Sequence, residues 1–323
     1  MGKKFRLATE WKNIEFVEGK VSSNYATEYH LSLFNTQAHR SLQAKQGWIE
    51  FHLIRTDKKE ILASIFFCLE GGIASSPTSA PFGSFELSES VSTEYLYEFI
   101  GFVELRLNRH GAKQIRIKNY PEAYHSRLHN LVTVLLFNHQ YRIDNAELGA
   151  CIHVDDDSLE LKMDQWERRK LKQARKAGLS FKTLSVDKFN EVYDFILACR
   201  EKRGQSLSMT KSQLKKVVIK FPSEFYLFGV YERKGLVAAS ISIRVSQDVV
   251  YNFYSAHARS SDHLSPVVFL ISNLYYWAYG HKFKLIDLGT SALGGVPNFP
   301  LIDFKLRLGA SPSMKLTFQK KLK

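Results

Sequence analysis

The same succession of local signals is written twice along this chain, over residues 47–154 and again over 224–319, which constrains it to fold as two similar halves. In the first, Gly47 to Arg55 and Glu60 to Cys68 are rich in β-branched and aromatic residues on either side of Thr56-Asp57-Lys58-Lys59, which predicts a hairpin. Gly71 to Ser84, rich in Ser, Pro and Gly, reads as a loop; Leu96, Phe99, Ile100, Val103 and Leu107 then recur at helical spacing up to Gly111. Ile115 and Ile117 alternate as a short strand, a second helix is expected over about Glu122 to Asn138, and one or two strands over Tyr141 to Val154. In the second half, Glu224 to Glu232, Leu236 to Val245 and Val249 to His257 form a meander, with turns at Arg233-Lys234-Gly235 and Ser246-Gln247-Asp248. A helix begins at Ser265 with Pro266 in its first turn and stops at Gly280; Phe283 to Gly289 gives a buried strand and Met314 to Phe318 a last one. Helices over Asp187 to Arg203 and Thr210 to Lys220 precede the meander. No residue-level repeat accompanies this repetition of element order.

A chain of 323 residues, 45% of them apolar, has the length for two domains with sizeable cores. The expected division is residues 1–155 and 156–323, with a basic linking helix at 164–178. A meander followed by a crossover helix and a parallel strand makes a mixed sheet, so each half is expected to be an α/β unit with flanking helices. The loop leaving the third strand then faces a helix N-terminus at the splayed centre of the sheet, where free N–H groups suit a ligand. No run approaches the roughly 18 apolar residues of a membrane span. Met1 to Arg6 is basic with no apolar stretch behind it, so a cytoplasmic protein is expected. Cys68, Cys151 and Cys199 are odd in number and widely spaced, which excludes a disulfide framework or a Cys-x-x-Cys site.

The charge is unevenly shared. Of the net +13, residues 1–155 hold 17 Lys and Arg against 17 Asp and Glu, and residues 156–323 hold 28 against 15. A basic half beside a neutral one suggests an anionic ligand at the C-terminal half, although charge serving solubility gives the same count. The densest stretch, Trp166 to Lys176, reads as a helix capped by Asp164, with Glu167 three residues on and Gly178 as its stop. Its cations surround the helix, so nucleic acid is not specifically indicated.

The second half resembles the GNAT-type N-acyltransferase fold, and in particular the FemAB-like tandem branch of that superfamily. The likeness is carried by Trp166 to Gly178, Phe228 to Arg244, Tyr251 to Ser265 (YNFYSAHARSSDHLS), Leu285 to Thr290 (LIDLGT) and Asp303 to Gly309 (DFKLRLG), and by element order alone in the first half. It implies two tandem GNAT-like halves and an N-acyltransferase-like enzyme passing an acyl or aminoacyl group to an amine. The donor it implies is acyl-CoA or another activated, carrier-bound acyl group, with no metal. Two departures stand out. The pyrophosphate loop of acetyl-CoA-dependent members is rich in glycine, and Ala258 to Leu264 contains none; nor is there room for the long helical hairpin common in members that take an aminoacyl group from transfer RNA.

Amine attack on an acyl carbon needs a base, an oxyanion donor and a proton for the leaving group. The loop supplies Arg259, Ser261, His263 and Ser265 as a candidate phosphate seat; a plain polar surface loop has the same composition. Strand alternation sends Tyr254 to one side and Ser255 and His257 to the other. His257 is a candidate proton acceptor, Tyr254 a candidate catalytic hydroxyl, and packed core roles are their alternatives. Asp287, at the end of an apolar strand, is a candidate base or amine holder, or simply a cap for the turn begun by Gly289, Thr290 and Ser291 and continued through Gly294 and Gly295. Lys305 and Arg307 are candidates to neutralise a phosphate or an acyl oxyanion, and the resemblance favours Lys305. His125 and His129 are spaced i, i+4, but with no third ligand they do not point to a metal. Ser75 to Gly83 is a candidate lid between the halves, or a connector. The rival to the enzyme reading is a non-catalytic module of the same fold that holds an anionic partner, a lipid or a nucleic acid, through its basic half.

Overall fold

The computed structural model describes residues 12–44, 46–293 and 296–323, so the start of the chain and Gly294-Gly295 lie outside the described residues. The chain forms two compact units. The described residues up to Glu147 join Met314–Lys323 in the first, and Leu148–Ser313 make the second.

The first unit contains β1 (Ile14–Glu18), β2 (Ala26–Thr27), α1 (Gln37–Gln43), β3 (Trp48–Arg55), β4 (Glu60–Glu70), β5 (Ile73–Ser76), β6 (Glu86–Leu87), α2 (Thr93–Arg109), β7 (Gln114–Lys118) and α3 (Ser126–Asn138). The next strand, β8 (Arg142–His153), runs across the divide. β3 and β4 pair with Phe51 opposite Ile65 and Leu53 opposite Ala63, and these residues share one fully buried face. Onto that face α2 lays Leu96, Phe99, Ile100, Val103 and Leu107, the stripe that its helical spacing predicts. Each such Phe or Leu contributes about 1.5–3 kcal/mol by leaving water.

The second unit continues with α4 (Leu159–Lys162), α5 (Gln165–Lys176), β9 (Ser180–Leu184), α6 (Phe189–Glu201), α7 (Lys211–Lys220), β10 (Phe225–Glu232), β11 (Gly235–Arg244), β12 (Val249–His257), α8 (Pro266–Gly280), β13 (Leu285–Thr290), the short pair β14 (Ala292–Leu293) and β15 (Val296–Pro297), and α9 (Phe299–Arg307); β16 (Ser311–Lys321) then returns to the first unit. Asp164 Oδ1 accepts from Glu167 N at 2.8 Å at the head of α5, and Gly178 ends that segment at φ +72°. Glu167 does not close a capping box. The Asp164 N–H goes instead to Arg307 O (2.9 Å), and the buried Glu167 carboxylate pairs with Lys170 and Arg307.

The two units use one pairing scheme. In the first the order is β1-β3-β4-β5-β7-β16, antiparallel throughout except for the parallel β5/β7. In the second it is β9-β10-β11-β12-β13-β8, antiparallel except for β12/β13. The sixth strand of each is supplied crosswise. β16, which follows the second unit's α9, pairs with β7, and β8, which follows the first unit's α3, pairs with β13.

Several expectations are corrected. The division falls at 147/148 rather than 155/156, and residues 314–323 leave the second half for the first. Charge moves with them: the first unit holds 21 Lys and Arg against 16 Asp and Glu, and the second 24 against 16, so the excess is shared as +5 and +8. Gly71 to Ser84 contains β5, and β9 was not expected. His125 stands outside α3 as its cap, its Nδ1 accepting from Leu128 N, while His129 is fully buried, so the two do not form a pair on one helix face.

Candidate functional site

In the second unit β12 and β13 pair over only three residues, Val249↔Leu285, Val250↔Ile286 and Tyr251↔Asp287. Beyond that register β12 runs on for six residues without β13, and a cavity of about 560 Å³ opens there. Its walls are the outward face of β12 (Tyr251, Phe253, Ser255, His257), the first turn of α8 (Pro266, Val267, Val268), the inner side of α9 (Leu301, Phe304, Lys305) and the end of β13 (Leu288, Gly289, Thr290). Arg200, Arg203 and Lys170 reach it from α6, the turn after α6, and α5. In the first unit the equivalent place is closed. β5 and β7 pair through Ser76↔Ile117, and Gly83 N then donates to Lys118 O (3.0 Å), so the returning chain continues along β7. Ser76, Phe82 and Ser84 are buried there, so the two ends of Ser75 to Gly83 are packed, while Thr78 and Ser79 at its tip are exposed.

Lys305 is the deepest cation of the cavity, 6% exposed. Its Nζ donates to Gly289 O (2.8 Å) and Thr290 O (3.1 Å), the carbonyls at the end of β13. Burial pushes its ammonium down to about 8, Asp287 and Cys151 oppose that shift, and Arg200 adds to it. Asp287 itself lies behind the wall, buried, accepting from Gly289 N at 2.6 Å. Only glycine suits position 289: φ is +76°, and a Cβ would stand 3.3 Å from the Tyr251 ring. Gly309, at φ +91°, is equally constrained, because a Cβ there would come within 2.7 Å of Lys162 Cβ, so it lets α9 close against α4.

His257 Nε2 lies 2.7 Å from Asp262 Oδ1 and 3.1 Å from Arg203 Nη2. Burial and the Arg203 charge hold its pKa below the usual histidine value against the pull of Asp262, so the neutral imidazole dominates at neutral pH. Ser265 also lines the cavity, at φ +52°; it precedes α8 but makes no side-chain cap.

Thus His257, Ser265, Gly289 and Lys305 meet around one cavity, and Asp287 supports it from behind. The other candidates are not brought there. Tyr254 does not line the cavity; its hydroxyl is bonded to Ser208 Oγ (2.6 Å) and Met209 N (3.0 Å). Arg259 and His263 are exposed and Ser261 is buried, and none lines the cavity. The loop thus brings Asp262, an acid, and no cation. Ser291 is buried, with its N–H on Leu148 O. Arg307 points to Glu167 (3.2 Å) and Asp164 (3.9 Å) rather than to the cavity. The sequence reading missed Arg200, Arg203, Lys170 and the Tyr251–Phe253 wall. Among the described residues no group of three or more His, Cys, Asp or Glu is placed to hold a metal ion, and no helix is long and apolar enough to cross a membrane.

No family model and no curated protein matches the sequence. Solved structures do match in fold. A crystal structure of FemX superposes with a TM-score of 0.70 at 12% identity, covering 91% of this chain and 94% of that one. The C-terminal domain of a putative lysylphosphatidylglycerol synthetase from Agrobacterium fabrum gives 0.52 at 10% identity, covering 81% and 82%. The L-PGS of Bacillus licheniformis gives 0.51 at 12%, again over 81% and 82%. The chain therefore shares the fold of FemX, two mixed-sheet units with flanking helices.

Proposed function

We propose that this protein is an N-acyltransferase that moves an acyl or aminoacyl group from an activated, carrier-bound donor to an amine, and that the cavity of the second unit is its site. The observation that carries the reading is Lys305: an ammonium held in a buried cavity beside parallel strands that part, with two of its three N–H bonds fixed on carbonyls and the third available to an oxygen that gains charge. The amine nitrogen attacks the acyl carbon, the carbonyl electron pair moves onto oxygen, and Lys305 stabilises that oxyanion. In the tautomer that gives its Nε2–H to Asp262, His257 keeps Nδ1 basic to accept the amine proton. As the oxyanion collapses, the carbon–carrier bond breaks and the carrier leaves with a proton. Asp287 keeps Lys305 charged and Gly289 in place. The donor is acyl-CoA or another activated acyl group, and the cytoplasm is the proposed compartment. The rival, a non-catalytic module holding an anionic partner, draws on the same cationic cavity and lacks the transfer step.

The test is transfer itself. The protein is mixed with acyl-CoAs, acyl-carrier protein or aminoacyl-tRNA and a panel of amines, and products are read by mass spectrometry. A product whose formation needs Lys305 supports the enzyme. Binding without transfer across the panel selects the rival.

A further inference from the structure

We infer that a pair of guanidiniums, Arg200 near the end of α6 and Arg203 just beyond it, is the anion seat of the cavity, and that it grips a phosphate group of the donor's carrier. The place of this seat follows from geometry, and only the identity of its ligand as a donor carrier rests on the acyl-transfer reading. Both arginines line the cavity, and both are anchored through their Nη nitrogens. Arg203 Nη1 donates to His257 O (2.9 Å) and Cys199 O (3.0 Å), and Arg200 Nη2 to Ser255 O (3.3 Å). A guanidinium carries five N–H donors in a rigid fork. These anchors fix both planes: Arg200 Nη1 also donates to Gln205 Oε1 (3.5 Å) and Arg203 Nη2 lies 3.1 Å from His257 Nε2, so each guanidinium keeps its Nε–H and a remaining Nη–H for phosphate oxygens.

Charge gives the second argument. Among the described residues no carboxylate lies within 4 Å of a nitrogen of either arginine, and the one acid lining the cavity, Asp262, is drawn to His257 and mostly exposed. Arg200 is half desolvated and repelled by Arg203, and it in turn presses on Lys305. Three cations packed round one desolvated space repel each other, and a ligand with two negative charges turns that repulsion into attraction.

The loop explains why side chains do this work. Ala258 to Leu264 has no glycine to bring its backbone N–H groups round a phosphate, and its own Arg259 and His263 face solvent. The first turn of α8 still lines the same cavity through Val267 and Val268, so its N–H groups reinforce the two guanidiniums.

Isothermal titration of the full chain with inorganic pyrophosphate, acetyl-CoA and a 5′-phosphorylated CCA trinucleotide tests the seat. Binding is expected to weaken with salt, and Arg200→Gln and Arg203→Gln should each weaken it about ten- to hundredfold. Lys172→Gln, an exposed α5 position with the same charge change, should leave it intact. Whichever of acetyl-CoA and the trinucleotide binds more tightly names the carrier. Unchanged binding in both arginine variants, or no binding of any probe by the wild type, overturns the proposal. If the variants do not fold, phenylglyoxal labelling of the wild type decides: pyrophosphate should protect Arg200 and Arg203, and equal labelling overturns the seat. Arginine-dependent binding with no transfer from any donor keeps the seat and removes the enzyme reading; transfer that survives both substitutions does the reverse.

Discussion

Replacing Lys305 by methionine should change how stability depends on pH in a way that can be worked out beforehand. The ammonium's pKa falls from its ordinary 10.5 to about 8 in the folded protein. A cation depressed in this way binds its proton less well folded than unfolded, so the wild type is penalised below pH 8, and the penalty fades as pH rises towards 10.5. At about 1.4 kcal/mol per unit the full penalty is about 3 kcal/mol, and roughly 2 kcal/mol of it should vanish between pH 7 and 9.5. The two hydrogen bonds to Gly289 O and Thr290 O are lost in Lys305→Met as well, which adds an offset. Methionine does not titrate, so the difference between the two proteins isolates the lysine. Urea unfolding at pH 7, 8, 9 and 9.5 should show the wild type gaining about 2 kcal/mol on the variant across that range. A flat difference, or one of the opposite sign, would refute the placement of a charged, desolvated Lys305. In the same protein, transfer should decline above about pH 8 as the oxyanion donor loses its proton, and Lys305→Met should abolish it.

Asp287→Asn removes the charge that opposes the depression of Lys305, so the alkaline limb of the transfer rate should move to lower pH, and an unmoved limb would separate the two groups. Breaking the part-buried pair of Lys320 Nζ and Glu104 Oε2 (2.6 Å) by Lys320→Met should destabilise the first unit by about 1–3 kcal/mol in a thermal melt, with His139 Nδ1 still 3.5 Å from Glu104. Tyr254→Phe, which deprives Ser208 and Met209 of a partner, should cost about 1 kcal/mol of stability and leave kcat close to wild type; a collapse of kcat would restore Tyr254 to the chemistry.

The elements that could be read from the sequence are those whose signals are local. β3 and β4 announce themselves by composition, α2 by its stripe, α5 by Asp164 and Gly178, and α7 by the capping box that Thr210 and Gln213 form. β5 was hidden because Ile-Ala-Ser-Ser is made of small residues apart from its first, and the strand is held by β4 and β7 rather than by propensity. The partners of β8 and β16 were not legible at all, since each looks like the natural next strand of its own half. Of the site, Lys305, His257 and Gly289 sit in recognisable segments. Arg200 and Arg203 look like ordinary helix-end cations, and only the fold shows that α6 packs against β12 and brings them to the cavity. Their spacing of three residues, before Gly204, is the one faint signal.

The crosswise supply of the sixth strands also dictates an order of assembly. A ribosome delivers residues from one end, so β7 must wait with an open edge until β16, made after α9, emerges, while β8 waits for β13. Throughout that interval two unpaired edges are offered to any strand nearby, and a nascent copy on a neighbouring ribosome presents the same pair. Removing only Met314–Lys323 would therefore leave the cavity's residues in the chain and expose the opposite unit to aggregation.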